Sequence, residues 1–370
     1  IGVFALASTV IACAPWAPVV VAGRGLQGIG AALAVPASLA AVGAAAVPSR
    51  RPAAIGAWTG FVMLGFSIGP LVGGVMTHFL GWRTIFWLNV AIMLTALAGF
   101  LSDRRFAGAA FSASAGRSDR LGFVLLAVSM TCLVLGLQSL ARHPIGALAA
   151  FAVAAAALGG LMTTERRKPE PLVDFGYFAH RNFTLGAAIG SIAMLGILTF
   201  LLYYNLFVQN GRGLRLTAVA AGVSLLPMSA AILGFALAAP ALAARFGLRA
   251  AIGGGMASVI AAAVLIGMGT AGGSPILLGI GLVAMGAGLA LPYACAPRLA
   301  LAALSPAQAG QGSGMISACT FLGGSIGVAI GGLAYAAGGF VAVLAMLALV
   351  AIIGAALCRG IVAEDAKGSR

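Results

Sequence analysis

Long apolar stretches alternate with short polar ones along this chain. Apolar runs at 17–44, 54–78, 84–101, 121–141, 145–163, 184–209, 217–242, 249–270, 275–296, 310–336 and 338–358 follow a shorter run at 2–15. A helix of roughly 20 apolar residues crosses the hydrocarbon core of a bilayer and satisfies its own backbone hydrogen bonds there. The pattern therefore predicts twelve membrane-crossing helices, some long enough to tilt. The fold class is an all-α integral membrane protein.

Composition strengthens that reading. Hydrophobic residues make up 62% of 370 positions and charged residues 8%, with a mean hydropathy of +1.11. A soluble domain carries about 25% charged residues to cover its surface, so this chain lacks the means to face water all round.

The net charge of +14 could point to nucleic acid, but its placement argues otherwise. Sixteen basic residues fall in alternate loops: Arg50 and Arg51; Arg104, Arg105, Arg117 and Arg120; Arg166, Arg167, Lys168 and Arg181; Arg245 and Arg249; Arg298; and Arg359, Lys367 and Arg370. The intervening loops hold only Arg83, Arg142, Arg212 and Arg215, and Arg24 alone lies within a span. An excess of Lys and Arg marks the cytoplasmic side of a membrane protein. The alternation predicts a multi-pass protein of the plasma membrane with a cytoplasmic C-terminus, and no nucleic-acid partner.

Candidate chemistry is sparse. Cys13, Cys132, Cys295, Cys319 and Cys358 show no paired spacing for a metal or a disulfide framework. His78, His143 and His180 stand singly near predicted helix ends. No glycine-rich string is followed by Lys and Ser or Thr, so ATP is not expected to act here directly. No metal, catalytic residue or cofactor is predicted, and the chain is not read as an enzyme.

Two strings repeat. Gly65-Phe-Ser-Ile-Gly69-Pro70-Leu-Val-Gly73-Gly74 returns as Gly323-Gly-Ser-Ile-Gly327-Val-Ala-Ile-Gly331-Gly332, with six identities in ten at an offset of 258. Gly30-Ala-Ala-Leu-Ala-Val-Pro36 returns as Gly286-Ala-Gly-Leu-Ala-Leu-Pro292, with five in seven at an offset of 256. Helices rich in Gly, Ala and Leu can match by chance, but two matches in consecutive helices at nearly one offset favour a duplicated bundle. An even number of spans separates the copies, as in transporters built from parallel repeats.

The glycine spacing of the first string lets another backbone approach closely, and Pro70 removes one helical donor. In Arg24-Gly-Leu-Gln27-Gly28-Ile-Gly30, a cation sits within a span at a cost of about 2.5–3.5 kcal/mol on insertion scales. Arg24 lies a turn or two inside its helix, so it can snorkel outward; Gln27 one turn later on the same face favours a functional role.

These strings resemble a known family. Arg24-x-x-Gln27-Gly28-x-Gly30 is similar to the fourth-helix motif of the major facilitator superfamily, and Gly65-x-x-x-Gly69-Pro70-x-x-Gly73-Gly74 to the fifth-helix motif of its drug:proton antiporters. Trp82-Arg83-Thr-Ile-Phe86-Trp-Leu-Asn89 and Glu165-Arg166-Arg167-x-Pro169-x-Pro171-Leu172-Val173-Asp174 resemble later strings of that branch. Numbering from those motifs makes the run at 2–15 helix three and the last span helix fourteen. The resemblance thus implies the fourteen-helix branch, with helices one and two upstream of Ile1. It further implies an N-terminal bundle at 1–101, an inserted helix pair with its loops at 102–182, a C-terminal six-helix bundle at 183–358, and a cytoplasmic tail at 359–370.

The function so implied is proton-driven efflux of lipophilic or antibiotic-like small molecules by alternating access, with the proton gradient as energy source and the protein a monomer in the lipid bilayer. Arg24 would support the proton relay, and helices five and thirteen would line the contact between halves. Asn89, Tyr203, Tyr204, Asn205, Tyr293 and Thr320 are the candidates for the substrate cavity, although the late position of Tyr203 and Tyr204 equally fits an interfacial aromatic belt. All seven acids (Asp103, Asp119, Glu165, Glu170, Asp174, Glu364 and Asp365) fall in loops or at ends, so the coupling carboxylate is expected on the helices before Ile1. An uptake symporter of the same fold and a truncated, inactive chain are the alternatives.

Overall fold

The computed structural model describes residues 1–45, 47, 51–102, 119–140, 143–168, 174–209, 214–305 and 308–361. Among them all regular structure is helical: α1 (Gly2–Ala12), α2 (Ala17–Ala45), α3 (Arg51–Leu80), α4 (Arg83–Ser102), α5 (Arg120–Ser139), α6 (Pro144–Glu165), a 3-10 turn (Phe175–Ala179), α7 (Arg181–Gln209), α8 (Ala218–Ser224), α9 (Leu226–Phe246), α10 (Leu248–Ala271), α11 (Pro275–Leu301) and α12 (Ala309–Cys358). The string Pro169–Val173, the tail beyond Ile361, and Arg50, Arg104, Arg105, Arg117, Arg142 and Arg212 lie outside the described residues.

Helix ends follow the predicted runs within a few residues, except that three runs are organised differently. The run at 217–242 is interrupted at Leu225, which separates α8 from α9. The runs at 310–336 and 338–358 form one 50-residue helix, broken by non-helical backbone at Gly338 and Gly339. Gly339 has a φ of 64°, open to glycine at little cost, so the chain reverses there without a polar loop. At about 1.5 Å per residue an unbroken helix of that length would span two bilayer cores. Nine helical segments among the described residues are long and apolar enough to cross a membrane, α12 being counted once.

Large apolar side chains cover the outside: Phe61 is 74% exposed, Ile276 73% and Ile145 83%. A water-facing protein does not spread apolar surface so widely, whereas a lipid-facing one has no reason to hide it.

The chain divides into two compact units, residues 1–117 with 215–226, and residues 118–214 with 227–370. In the first, α1 packs on α2 and α4, and α3 on α8. The guanidinium of Arg83, stacked on Trp82, donates to the Ala14 carbonyl at 2.9 Å and ties the start of α4 to the end of α1. In the second, glycines set the helix spacing. A Cβ on Gly186 would lie 2.7 Å from the Ala296 carbonyl oxygen, bringing α7 onto α11. Gly255 and Gly288 place α10 against α11 so closely that a Cβ on either would meet the other's carbonyl oxygen within 3.0 Å.

The second unit also carries the α5–α6 hairpin, closed by charge. Asp119 caps α5 by accepting from the Gly122 amide at 3.0 Å. Lys168, just past α6, donates to Asp119 Oδ2 at 2.5 Å and to Glu165 Oε1 at 2.6 Å, and Glu165 is buried. The hydrogen bond from Lys168, then that from the Gly122 amide, holds the Asp119 carboxyl below the ordinary range. Hydrogen bonds to Asp119 and then Glu165 hold the Lys168 ammonium above its own.

A depressed acid stabilises the fold above its unfolded pKa, about 3.9, and loses that contribution as pH falls through the depressed value. A raised lysine does the reverse: its contribution is full below about 10.4 and fades as pH rises through the raised value. The hairpin clamp is therefore complete between those limits. Thermal unfolding in detergent against pH should show an acid limb that Asp119→Asn flattens; an unchanged limb would remove the clamp from the account.

Candidate functional site

In the first unit, α1 and α2 meet at a face of α2 formed by Gly23, Gln27 and Gly30. These positions are four and three apart, hence on one side of a helix. A Cβ on Gly30 would lie 2.7 Å from the Phe4 nitrogen, and one on Gly23 would lie 2.5 Å from Ile11 Cγ1. Only glycine permits that approach, and it buries Gln27 to 3% exposure against α1.

The buried amide then needs partners, and it has them. Gln27 Nε2 donates to Ser8 Oγ at 2.9 Å, and Ser8 in turn donates to the Phe4 carbonyl at 2.8 Å. The Gln27 carbonyl oxygen accepts from Arg24 Nη1 at 2.6 Å. The result is a polar chain from an exposed cation through a buried amide to a fully buried hydroxyl. Gly28, the remaining motif glycine, has open space where a Cβ would stand and takes no part in the contact.

The second motif lies on α3, with Pro70 inside the helix. Its glycines divide by role. Among the described residues, no atom lies within 4 Å of where a Cβ on Gly65, Gly69 or Gly73 would stand. Gly74 faces α8, where a Cβ would overlap the Ala218 carbonyl oxygen. From the other side, a Cβ on Gly222 would lie 2.8 Å from the Pro70 carbonyl oxygen and 3.0 Å from Leu71 Cα. The two backbones thus touch over Pro70–Gly74 and Ala218–Gly222. Thr217 starts α8 by accepting from the Ala220 amide at 3.2 Å.

In the second unit, the repeated glycine string has a different neighbour. Gly323, Gly327 and Gly331 of α12 lie against Ser191, Leu195, Thr199 and Tyr203 of α7, four apart on each helix. Tyr203 is buried in this seam and donates to the Val328 carbonyl at 2.7 Å, while Ser191 donates to the Cys319 carbonyl at 2.8 Å. Tyr204 is fully buried, stacked on Phe200 with ring centroids 5.4 Å apart, and Phe340 packs on both rings. Thr320 is buried beside Gly190. Asn205 is half-buried, accepts from Gln209 at 2.9 Å and donates to the Leu201 carbonyl at 3.3 Å. Tyr293 on α11 is half-buried, as is Asn89 on α4 of the first unit.

Comparison with known proteins places this arrangement. The model of the Major Facilitator Superfamily matches residues 1–268. The chain belongs to the Major Facilitator Superfamily. The multidrug resistance protein Stp of Mycobacterium tuberculosis is 30% identical over 341 residues, 91% of this chain and 62% of that protein. The tetracenomycin C resistance and export protein of Streptomyces glaucescens is 30% identical over 336 residues, 88% and 61% of the two chains. The methyl viologen resistance protein SmvA of Salmonella typhimurium is 30% identical over 343 residues, 89% and 66%. This superfamily chain spans about three-fifths of the length of the first two relatives.

The superfamily motif on α2 is therefore a three-residue network whose third member, Ser8, the sequence reading passed over. Ser8 and Thr9 are the only hydroxyl residues in α1. A short apolar helix with a hydroxyl is a signal, but it does not say which neighbour the hydroxyl meets. Thr9 spends its own on the Ala5 carbonyl at 3.0 Å.

Proposed function

We propose that this superfamily member exports lipophilic, cationic or antibiotic-like small molecules across the plasma membrane in exchange for protons. The observation that carries the proposal is the close backbone contact of the Pro70–Gly74 segment with Ala218–Gly222, made by the glycine-proline string that resembles the antiporter motif. The resistance and export activities in the names of its relatives support the same reading. The loop charges favour an orientation with the C-terminus in the cytoplasm. The protein works as a monomer in the lipid bilayer, with the proton gradient as its energy source and without a cofactor.

In this reading Arg24 supports the proton relay. It forms no ion pair among the described residues, whose two ion pairs both belong to Lys168. Its guanidinium is oriented by Gln27 and keeps further N–H donors for an acid or a water. Half-buried Asn89, Asn205 and Tyr293 are the positions assigned to substrate contact, whereas Tyr203, Tyr204 and Thr320 hold helices together.

The test uses an exporter-deficient host expressing the full reading frame that contains these 370 residues. Arg24→Ala should return drug susceptibility to that of the empty vector while the protein stays in the membrane. Gln27→Leu should do the same and also lower stability by about 0.5–1.5 kcal/mol, because Ser8 loses its donor. Undiminished resistance in Arg24→Ala cells would remove the residue from the mechanism.

A further inference from the structure

At one end of the second unit, an open cleft of about 460 Å³ lies between the start of α10 and the end of α12. Its walls are Phe246, Arg249, Ala250, Gly253 and Gly254 on one side, and Ala355, Cys358 and Arg359 on the other. That volume falls within the range of about 300–1,000 Å³ typical of small-ligand sites.

The cleft is positively charged, with no counter-charge among the described residues. Arg249 and Arg359 are both in its lining, and neither forms an ion pair among the described residues. Arg181 approaches from α7, its Nη2 lying 3.1 Å from where a Cβ on Gly360 would stand. Arg245 rests over the Phe246 ring at 5.3 Å. The acids of the described residues are engaged elsewhere: Asp119 and Glu165 with Lys168, and Asp174 with the Gly176 amide.

The floor is small and apolar. Gly253 and Gly254 have nothing within 4 Å of where a Cβ would stand, so the cleft continues over a smooth stretch of α10. The exposed Phe246 forms its rim. A cationic mouth over an apolar floor at a helix end matches an amphiphile with an anionic head and a hydrocarbon tail. Basic pockets between membrane helices on the cytoplasmic side suit anionic lipid head groups, and the arginine fork matches phosphate geometry.

We infer that this cleft binds an anionic phospholipid of the cytoplasmic leaflet, its phosphate between Arg249 and Arg359 and an acyl chain along Gly253 and Gly254. The leaflet rests on the orientation proposed above; the binding does not. Lipid bound there joins α10 to the end of α12 and steadies the second unit.

The experiment measures thermal unfolding of the purified full chain in a neutral detergent, titrated with phosphatidylglycerol, phosphatidylcholine or inorganic phosphate. Phosphatidylglycerol should raise the Tm saturably, and the other two should not. Arg249→Gln with Arg359→Gln should weaken the apparent affinity by about thirtyfold, each arginine counting as about fivefold. Gly254→Leu should fill the cleft and abolish the shift with every charge in place. Tm in phosphatidylcholine checks that each variant is folded.

A phosphatidylglycerol shift kept by both variants would overturn the site. An equal shift from inorganic phosphate would replace the lipid with a free anion. A shift that emerges only after Glu364→Gln and Asp365→Asn would make the chain's own tail the occupant and overturn the proposal. Because no leaflet exists in detergent, these results stand apart from the orientation, which thiol labelling of single-cysteine loop variants in intact cells decides.

Discussion

Gly74→Leu should reduce drug resistance to the level of an empty vector while leaving the protein in the membrane. The position has no room even for a methyl group, since a Cβ there would overlap the Ala218 carbonyl oxygen and approach Val219 Cα to 3.6 Å. A leucine must push α3 and α8 apart along the segment where Pro70 and Gly222 also touch. Overpacking of this kind costs about 1–3 kcal/mol, too little to unfold a typical protein but enough to abolish a contact made by backbone alone. Gly69→Ala provides the internal comparison, because a Cβ at Gly69 meets nothing within 4 Å. Its stability should equal or slightly exceed that of the parent, as expected when alanine replaces a helical glycine. Resistance assays with membrane immunodetection read the first variant, and unfolding in detergent reads the second. Full resistance in Gly74→Leu would contradict the proposed role of this contact.

Gly323→Leu should have the larger effect on the fold itself. A Cβ at Gly323 would lie 2.5 Å from the Ser191 carbonyl oxygen and 2.6 Å from Ser191 Cα, both backbone atoms that no rotamer can move. Displacing α12 from α7 would also strain the Ser191 hydrogen bond to Cys319 and the Tyr203 hydrogen bond to Val328. The expected result is a loss of monodisperse protein on size exclusion, with Gly323→Ala already lowering the Tm. The comparison is Gly314 on the same helix, where a Cβ meets nothing within 4 Å. Gly314→Ala should be neutral or stabilising, by about 0.5–1 kcal/mol at most. Equal behaviour of the two alanine variants would mean that the glycine string does not set the distance between α7 and α12.

The glycine strings at 65–74 and 323–332 are legible as close-packing surfaces, but which glycines are used depends on the neighbour. In α12 the string packs along α7 at every fourth residue, whereas in α3 the contact falls on Pro70 and Gly74, with Gly65, Gly69 and Gly73 left open. Similar strings thus carry different contacts, because the partner helix is chosen by tertiary placement and not by the string.

Helix positions were legible for a simpler reason. Bilayer thickness sets a length that any apolar run must meet, so the runs at 145–163 and 249–270 correspond to α6 and α10 with ends shifted by no more than two residues. The polar links are another matter. Ser8 is nineteen residues from Gln27, Lys168 forty-nine from Asp119, and Tyr177, which donates to Gln311 at 2.7 Å, is 134 away. Each is one polar side chain among many, and only the meeting of two helices selects its partner. Tyr203 illustrates the ambiguity: its late position in a long run suits an aromatic belt or a cavity, and it is engaged instead in a helix seam.

Proton exchange is the central claim, and proton movement in everted membrane vesicles tests it most directly. Respiration acidifies the vesicle lumen and quenches a permeant fluorescent base, and ethidium, a lipophilic cation, is then added outside. The account predicts rapid dequenching as protons leave the lumen in exchange for ethidium, in vesicles carrying the full reading frame and not in those carrying Arg24→Ala. Ethidium transport without dequenching, or substrate and proton moving in the same direction, would contradict it.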